Sequence, residues 1–198
     1  EAVPPSVKVH FVPVRAGYVG KVIFEQWQFP RACRAVGADL AHIPYWGGPL
    51  ASPIPQVVTV HDVTPLLVPE YQQTAASKLY TALVTASARG ANHIITDSFS
   101  SKIDIVDHLK IPEEQITAVY LAVGPQYTPT ENSLVDMAVL RKYDLPEFYV
   151  LYLGGFEVHK NIINLLHAWS YVGQALGEEY PLVLAGKKPD KINDVYPD

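Results

Sequence analysis

Short runs rich in β-branched residues alternate along this chain with longer segments that repeat apolar residues every three or four positions. That alternation constrains the fold most strongly. Strands separated by helices pair in parallel, and the helices then cover the sheet. "VKVHFVPV", "ADLAHIPY", "PQVVTVHD", "NHIITD" and "QITAVYL" read as strands. "GKVIFEQWQFPRACRAVG" reads as a helix that Pro30 kinks or breaks. "YQQTAASKLYTALVTASARG" reads as a helix with Ala75, Leu79, Leu83 and Ala86 inward and Gly90 as its stop. In "SFSSKIDIVDHLK" the inward residues are Phe99, Ile103, Val106 and Leu109. Ser101 and Asp104 have the spacing of a capping box there, and Ser98 is the competing cap.

From Gly124 to Glu147 the texture turns polar and turn-rich, with a short helix around Val135–Tyr143. The pattern then restarts. "FYVLYLGG" and "PLVLAG" read as strands on either side of "NIINLLHAWSYVGQALG", a helix with Ile162, Leu165, Trp169, Val172 and Leu176 inward. The expected class is α/β with two Rossmann-like sheets. Residues 1–125 form most of the first domain, 126–147 the connection, and 148–198 the opening of the second. The tail "KKPDKINDVYPD" is polar and expected to fray. Two strands and one helix are too little to close a core, so the chain reads as the middle of a longer one.

Composition excludes several classes of function. With 48% apolar and 18% charged residues the chain is not disordered, and its net charge of −5 gives no basic footprint for nucleic acid. The single cysteine, Cys33, excludes an internal disulfide and a multi-cysteine zinc site, and "RACRA" reads as a core thiol in a reducing compartment. No apolar run reaches bilayer length. There is no H-E-x-x-H, G-x-S-x-G or D-x-D, and the seven histidines lack metal-ligand spacing.

Chemistry concentrates where strands end. "LYLGGFEVHKN" places Gly154 and Gly155 after a strand, and Lys160 and Asn161 at a helix start. It is neither a Walker A loop nor a G-x-G-x-x-G fingerprint, since Phe156 occupies the second glycine's place. Two readings fit: an anion site of backbone N–H groups and a cation, or a tight turn with a solvated lysine. "VVTVHDVTPLLVPE" puts His61 and Asp62 just past a strand, where α/β proteins hold ligands. The plain alternative has His61 capping the sheet edge and Asp62 ordering the following loop. In "IITDSFSSK", Asp97, Ser98, Ser100 and Ser101 are explained by helix capping, with hydroxyl contacts to a ligand as the second reading. In "HIPYWGGP", Tyr45 and Trp46 offer either a sugar-stacking platform or core and rim packing. Glu25 in "FEQWQFP" is a carboxylate expected to be paired or exposed.

In this order, "FEQWQFP…GADLAHIPYWGGP", "PQVVTVHDVTPLLVPEY", "IITDSFSSKIDIVDHLKIPEEQITAVYLAV" and "FYVLYLGGFEVHKNIINLLHAW" resemble the retaining glycosyltransferases of family 4, which have the GT-B fold. The resemblance implies transfer of a hexose from a nucleoside-diphosphate sugar to a glycan or lipid-linked hydroxyl acceptor, without metal or other cofactor. It implies that His61 contacts the donor sugar and that Lys160 neutralises the departing diphosphate. Gly154, Gly155 and Asn161 would complete the donor site. Asp62, Ser98, Tyr45 and Trp46 are candidates for the acceptor side of the cleft. A cytoplasmic enzyme of polysaccharide biosynthesis is expected, at the inner membrane face where the acceptor is lipid-linked, with a homodimer as one arrangement.

Two departures matter. Many relatives carry an arginine where this chain has Gly155, and no two glutamates here are eight apart, so the family's Glu-x7-Glu element is absent. Only 38 residues follow Lys160, and the element is expected beyond Asp198. The competing readings are a non-catalytic GT-B half that binds a glycan or partner, and a sugar-nucleotide epimerase that turns over donor without acceptor.

Overall fold

A computed structural model describes residues 6–128 and 133–187. The chain divides into two compact units, residues 1–122 and 123–198.

The first unit is built on a parallel sheet in the order β1 (Ala41–Ile43), β2 (Gln56–Thr59), β3 (His93–Thr96), β4 (Ile116–Ala118). Central strands of such a sheet are covered on both faces, and Val58, Val60, Ile94 and Thr96 are accordingly buried. Replacing Ile94 with alanine is expected to cost about 2–5 kcal/mol. Ile103→Ala, at a residue the sequence pattern had placed inward, should cost under about 0.5 kcal/mol because Ile103 is exposed. Urea unfolding of the two variants measures the difference.

α1 (Gly17–Ile23), a π turn (Phe24–Gln28) and α2 (Phe29–Ala35) form one continuous helical run. Pro30 neither ends nor interrupts it. Pro30 sits in the first turn of α2, and just ahead of it Phe29 N–H donates back five residues to Phe24 O, which widens the helix before the proline ring enters. Cys33 lies buried on this run.

Three further sequence expectations fail in this unit. Residues 7–14 form no strand and pair with no sheet edge, and Phe11, at 92% exposure, is open to solvent. After the short α3 (Thr64–Leu67), α4 (Ala75–Arg89) begins at Thr74, whose side chain shares a capping box with Ser77. It buries Thr81, Val84, Ser87 and Ala88, while Leu79 is 74% exposed. The face against the sheet is small because Ser87 Oγ donates to the carbonyls of Gly48 and Pro49, which brings backbone close. α5 (Phe99–Asp104) runs into a second π turn (Ile105–Leu109). The extra residue per turn shifts the helical phase, so Ile105 and Leu109 are buried while Phe99 and Ile103 face solvent.

The second unit contains α6 (Ser133–Lys142) and a parallel pair, β5 (Val150–Leu153) with β6 (Leu182–Ala185), joined through α7 (Ile162–Leu176). Of the expected inward stripe of α7, Ile162 is buried and Leu165 and Trp169 are half-buried, but Val172 and Leu176 are exposed. Strands of four residues span about 13 Å. A helix of 15 residues spans about 22 Å, so its last turns run past the sheet. Most of the polar C-terminal tail lies outside the described residues.

Candidate functional site

Parallel register creates the site in the first unit. Thr59 pairs with Ile95, so His61 and Asp97, each two residues further on, leave the sheet at the same level. Val60 N–H donates to Ile95 O at 2.8 Å and Val119 N–H to Thr96 O at 2.8 Å, which keeps both strands straight up to the point of departure. His61 Nδ1 then lies 2.7 Å from Asp97 Oδ2, and its Nε2 lies 3.2 Å from Pro44 O. The carboxyl ends of β1, β2 and β3 therefore meet at one imidazole. Whichever ring nitrogen carries a proton, an oxygen stands ready to accept it, and the ring is fixed in orientation. His61's side chain is 45% exposed, so the rest of the ring faces outward.

Tyr45 stands beside it, with ring centroids 6.3 Å apart, and is 63% exposed. Trp46 is not a stacking platform: it is buried, and among the described residues no partner meets its Nε1. The cause is Gln26 on the first π turn, whose side chain donates to Gly48 O at 3.0 Å and accepts from Leu50 N–H at 2.8 Å. That clamp folds the loop after β1 inward at Trp46. Asp62 accepts from Thr64 N–H at 2.8 Å and so orders the loop after His61. Ser98 caps α5 by accepting from Ser101 N–H at 3.1 Å, so the Ser101–Asp104 box is not the cap. Asp97 is the partner that sequence reasoning missed. The available signal was positional, since it follows β3 as His61 follows β2.

Behind Tyr45 lies Glu25, which is only 6% exposed. Tyr80 OH donates to its Oε1 at 2.9 Å, and Lys21 Nζ is 3.9 Å from the same oxygen. Lys21 also sits over the rings of Tyr45 and Tyr80. Loss of water raises the Glu25 carboxyl above its ordinary range, against the Tyr80 hydrogen bond and the Lys21 charge, which lower it. Burial, and then Glu25 itself, push the Tyr80 hydroxyl far up. A carboxyl raised by folding contributes stability that is complete below the unfolded-chain pKa and lost as pH rises through the folded one. Glu25→Gln is therefore expected to flatten the decline of thermal midpoint on the alkaline side of the carboxylate range. Melting curves of both proteins across pH check this.

In the second unit, Gly154 N–H donates to Ala185 O at 3.0 Å and extends the β5–β6 ladder. Tyr152 OH donates to Gly155 O at 2.6 Å. Lys160 ends a 3-10 turn (Val158–Lys160) and is exposed. Asn161 starts α7 in the left-handed region, φ +54°, without a side-chain cap, so the first N–H groups of α7 receive none from it. The Glu157 carboxylate lies against Gly155, where a Cβ would overlap it. Thus the structure gathers His61, Tyr45 and Asp97 in one unit, and Gly154, Gly155, Lys160 and Asn161 in the other. Among the described residues, no group of three or more His, Cys, Asp or Glu is placed to hold a metal ion.

A parallel α/β sheet that presents a fixed histidine at its carboxyl edge, followed by a second strand–helix–strand unit, is of the Rossmann-like class expected from the sequence. The sequence profile of Glycosyltransferase Family 4 matches residues 2–127, and the chain belongs to that family. It is 31% identical over 131 residues to the O-antigen chain mannosyltransferase B of Escherichia coli, covering 66% of this chain and 34% of that protein. It is 28% identical over 148 residues to the serotype-specific mannosyltransferase WbdA of Escherichia coli, covering 70% of this chain and 17% of that protein. The chain thus spans about a third or less of these relatives. A solved glycosyltransferase from Rickettsia africae ESF-5 aligns with a TM-score of 0.47 at 13% identity, over 90% of this chain and 55% of that one. Among the described residues no helix is long and apolar enough to cross a membrane.

Proposed function

We propose that the chain serves the transfer of a hexose from a nucleoside-diphosphate sugar to a hydroxyl of a glycan or lipid-linked acceptor, with retention of configuration. Mannose is the proposed hexose, because the E. coli relatives are named mannosyltransferases. In the reaction the bond from the sugar C1 to the diphosphate oxygen breaks and C1 bonds to the acceptor oxygen. The hydroxyl proton passes to the departing diphosphate.

The observation that carries this reading is the His61–Asp97 pair, 2.7 Å apart where the parallel strands end. With an acceptor oxygen facing each nitrogen, the ring is held through whichever nitrogen bears its proton and keeps one orientation towards the transferred sugar. Lys160 supplies a fixed positive charge for the diphosphate, where negative charge grows in the transition state. Gly154, Gly155 and the α7 N-terminus with Asn161 offer backbone to the same phosphates, and Glu157 swings out as they bind. No step needs a metal or other cofactor. The reading places the enzyme in the cytoplasm, at the inner membrane face when its acceptor is lipid-linked, in the building of a polysaccharide.

The test is release of nucleoside diphosphate from nucleoside-diphosphate mannose by the whole protein, with and without a mannose-terminated glycan. Release that depends on the glycan is expected. Equal release without glycan would move the reading to an epimerase or hydrolase, and no release in either case to a non-catalytic binding module.

A further inference from the structure

The carbonyl that faces His61 Nε2 belongs to the first peptide beyond β1, and the sheet does not hold it. Past the ends of β2 and β4 the backbone ladder runs on by one step, through Val60 N–H to Ile95 O and Val119 N–H to Thr96 O. Between β1 and β2 it stops. Ile43 pairs with Val58, Pro44 has no N–H to give, and among the described residues no backbone bond joins Tyr45 N–H to β2. The 3.2 Å approach of Pro44 O to His61 Nε2 is therefore set by the loop that follows, residues 44–50.

That loop is gripped at its far end. Ser87 Oγ donates to the carbonyls of Gly48 and Pro49, and Gln56 Nε2 donates to Pro49 O at 3.2 Å. Both hold carbonyls only. Among the described residues, Gln26 alone holds a carbonyl and an N–H together: its Nε2 donates to Gly48 O at 3.0 Å, and its Oε1 accepts from Leu50 N–H at 2.8 Å. Gly48 N–H donates to Trp46 O at 3.3 Å, which ties the gripped end back to within two residues of Pro44. Residues 46–49 are buried, and a packed interior transmits a shift rather than absorbing it. Gln26 itself stands in the middle of the first π turn (Phe24–Gln28), and such turns are frequent at functional sites.

We propose that Gln26 is a positioning residue for sugar transfer: by holding Gly48 and Leu50 it sets where Pro44 O stands, and with it the tautomer and direction of the His61 ring. With Pro44 O in place, an Nε2–H has an acceptor, as an Nδ1–H has at Asp97. When the loop relaxes, only the Nδ1–H keeps its acceptor, and the neutral ring settles into that tautomer. The effect on the ring follows from the first unit alone. The effect on rate rests on the transferase reading.

Gln26→Met in the whole protein removes both bonds and keeps an unbranched side chain. Thr74→Ala is the comparison, since it removes a helix cap whose side-chain bonds are all to Ser77. With ¹⁵N-labelled histidine, the ring shifts of His61 report which nitrogen carries the proton, and the His61→Ala spectrum identifies them. On the alkaline side of the histidine titration, Gln26→Met is expected to move His61 towards the Nδ1–H form, while Thr74→Ala leaves it in place. In transfer from nucleoside-diphosphate mannose to a mannose-terminated glycan, kcat should fall about ten- to a hundredfold in Gln26→Met, the cost of a small displacement passed to the reacting site. The donor KM should move less than about twofold, and Thr74→Ala should transfer at the normal rate. Unchanged His61 shifts in Gln26→Met would overturn the proposal whatever the rate does. So would moved shifts with an unchanged kcat, or equal changes in both variants, which would make Gln26 a structural residue. If the unaltered protein transfers nothing, the NMR decides alone: a ring moved in Gln26→Met only upholds the clamp without the transferase, and an unmoved ring overturns it.

Discussion

Lys160→Ala in the whole protein is expected to lower kcat for sugar transfer by about 10²–10³-fold, the usual consequence of removing one preorganised group that stabilises transition-state charge. Folding should scarcely notice. Lys160 is exposed, and among the described residues it enters no ion pair. Its backbone, which supports the 3-10 turn through an N–H bond to Glu157 O at 2.9 Å, is untouched by the change. Surface substitutions of this kind move stability by about 0.5 kcal/mol or less. Lys160→Arg should restore part of the rate, because the charge returns in a different shape. Gly155 gives this loop no second cation, so the loss is expected to be large. Turnover unchanged in Lys160→Ala would remove the lysine from the diphosphate site.

The second large effect is at the first sheet. His61→Ala should reduce transfer by about 10²–10⁴-fold, the range for a side chain that positions or relays a proton in the transition state. Binding of nucleoside diphosphate alone should survive, since the proposed phosphate contacts come from the second unit. Asp97→Asn provides the finer test. The amide still reaches His61 Nδ1 but offers no charge and can turn its NH₂ towards the ring, so the imidazole loses its fixed orientation. Transfer should fall by about tenfold or more, with the thermal midpoint nearly unchanged. Equal loss of transfer and of nucleoside diphosphate binding in His61→Ala would make the histidine a structural cap of the sheet edge.

The main sheet was legible because β2, β3 and β4 are compact stretches rich in β-branched residues, and β1, with Ile43 alone, lies in an apolar run bounded by turn-formers. His61 was legible for the same reason, as a polar residue just past such a run. Asp97 was not, although it stands in plain view 36 positions later. Its pairing follows from strand register, which a single strand does not encode. One helix face was misread where a π turn inserts a residue: Leu109 in the π turn is buried, but Phe99 and Ile103 ahead of it are exposed, so one helical period does not run through both segments. "VKVHFVPV" alternates as a strand should, yet it pairs with no strand and Val7, Val9, Phe11 and Val14 are exposed, since alternation alone does not supply a partner edge. Trp46 owes its burial to Gln26, twenty positions away in sequence and linked through the backbone of Gly48 and Leu50. Nothing local in "PYWGG" predicts that clamp.

The account turns on transfer with retention. The measurement that tests it most directly uses nucleoside-diphosphate mannose labelled with ¹³C at C1, the whole protein and a mannose-terminated glycan, with the labelled carbon followed by NMR. The label is expected in a new glycosidic linkage with the anomeric configuration it had in the donor. Label appearing in the opposite configuration, or only as free mannose, would contradict the account.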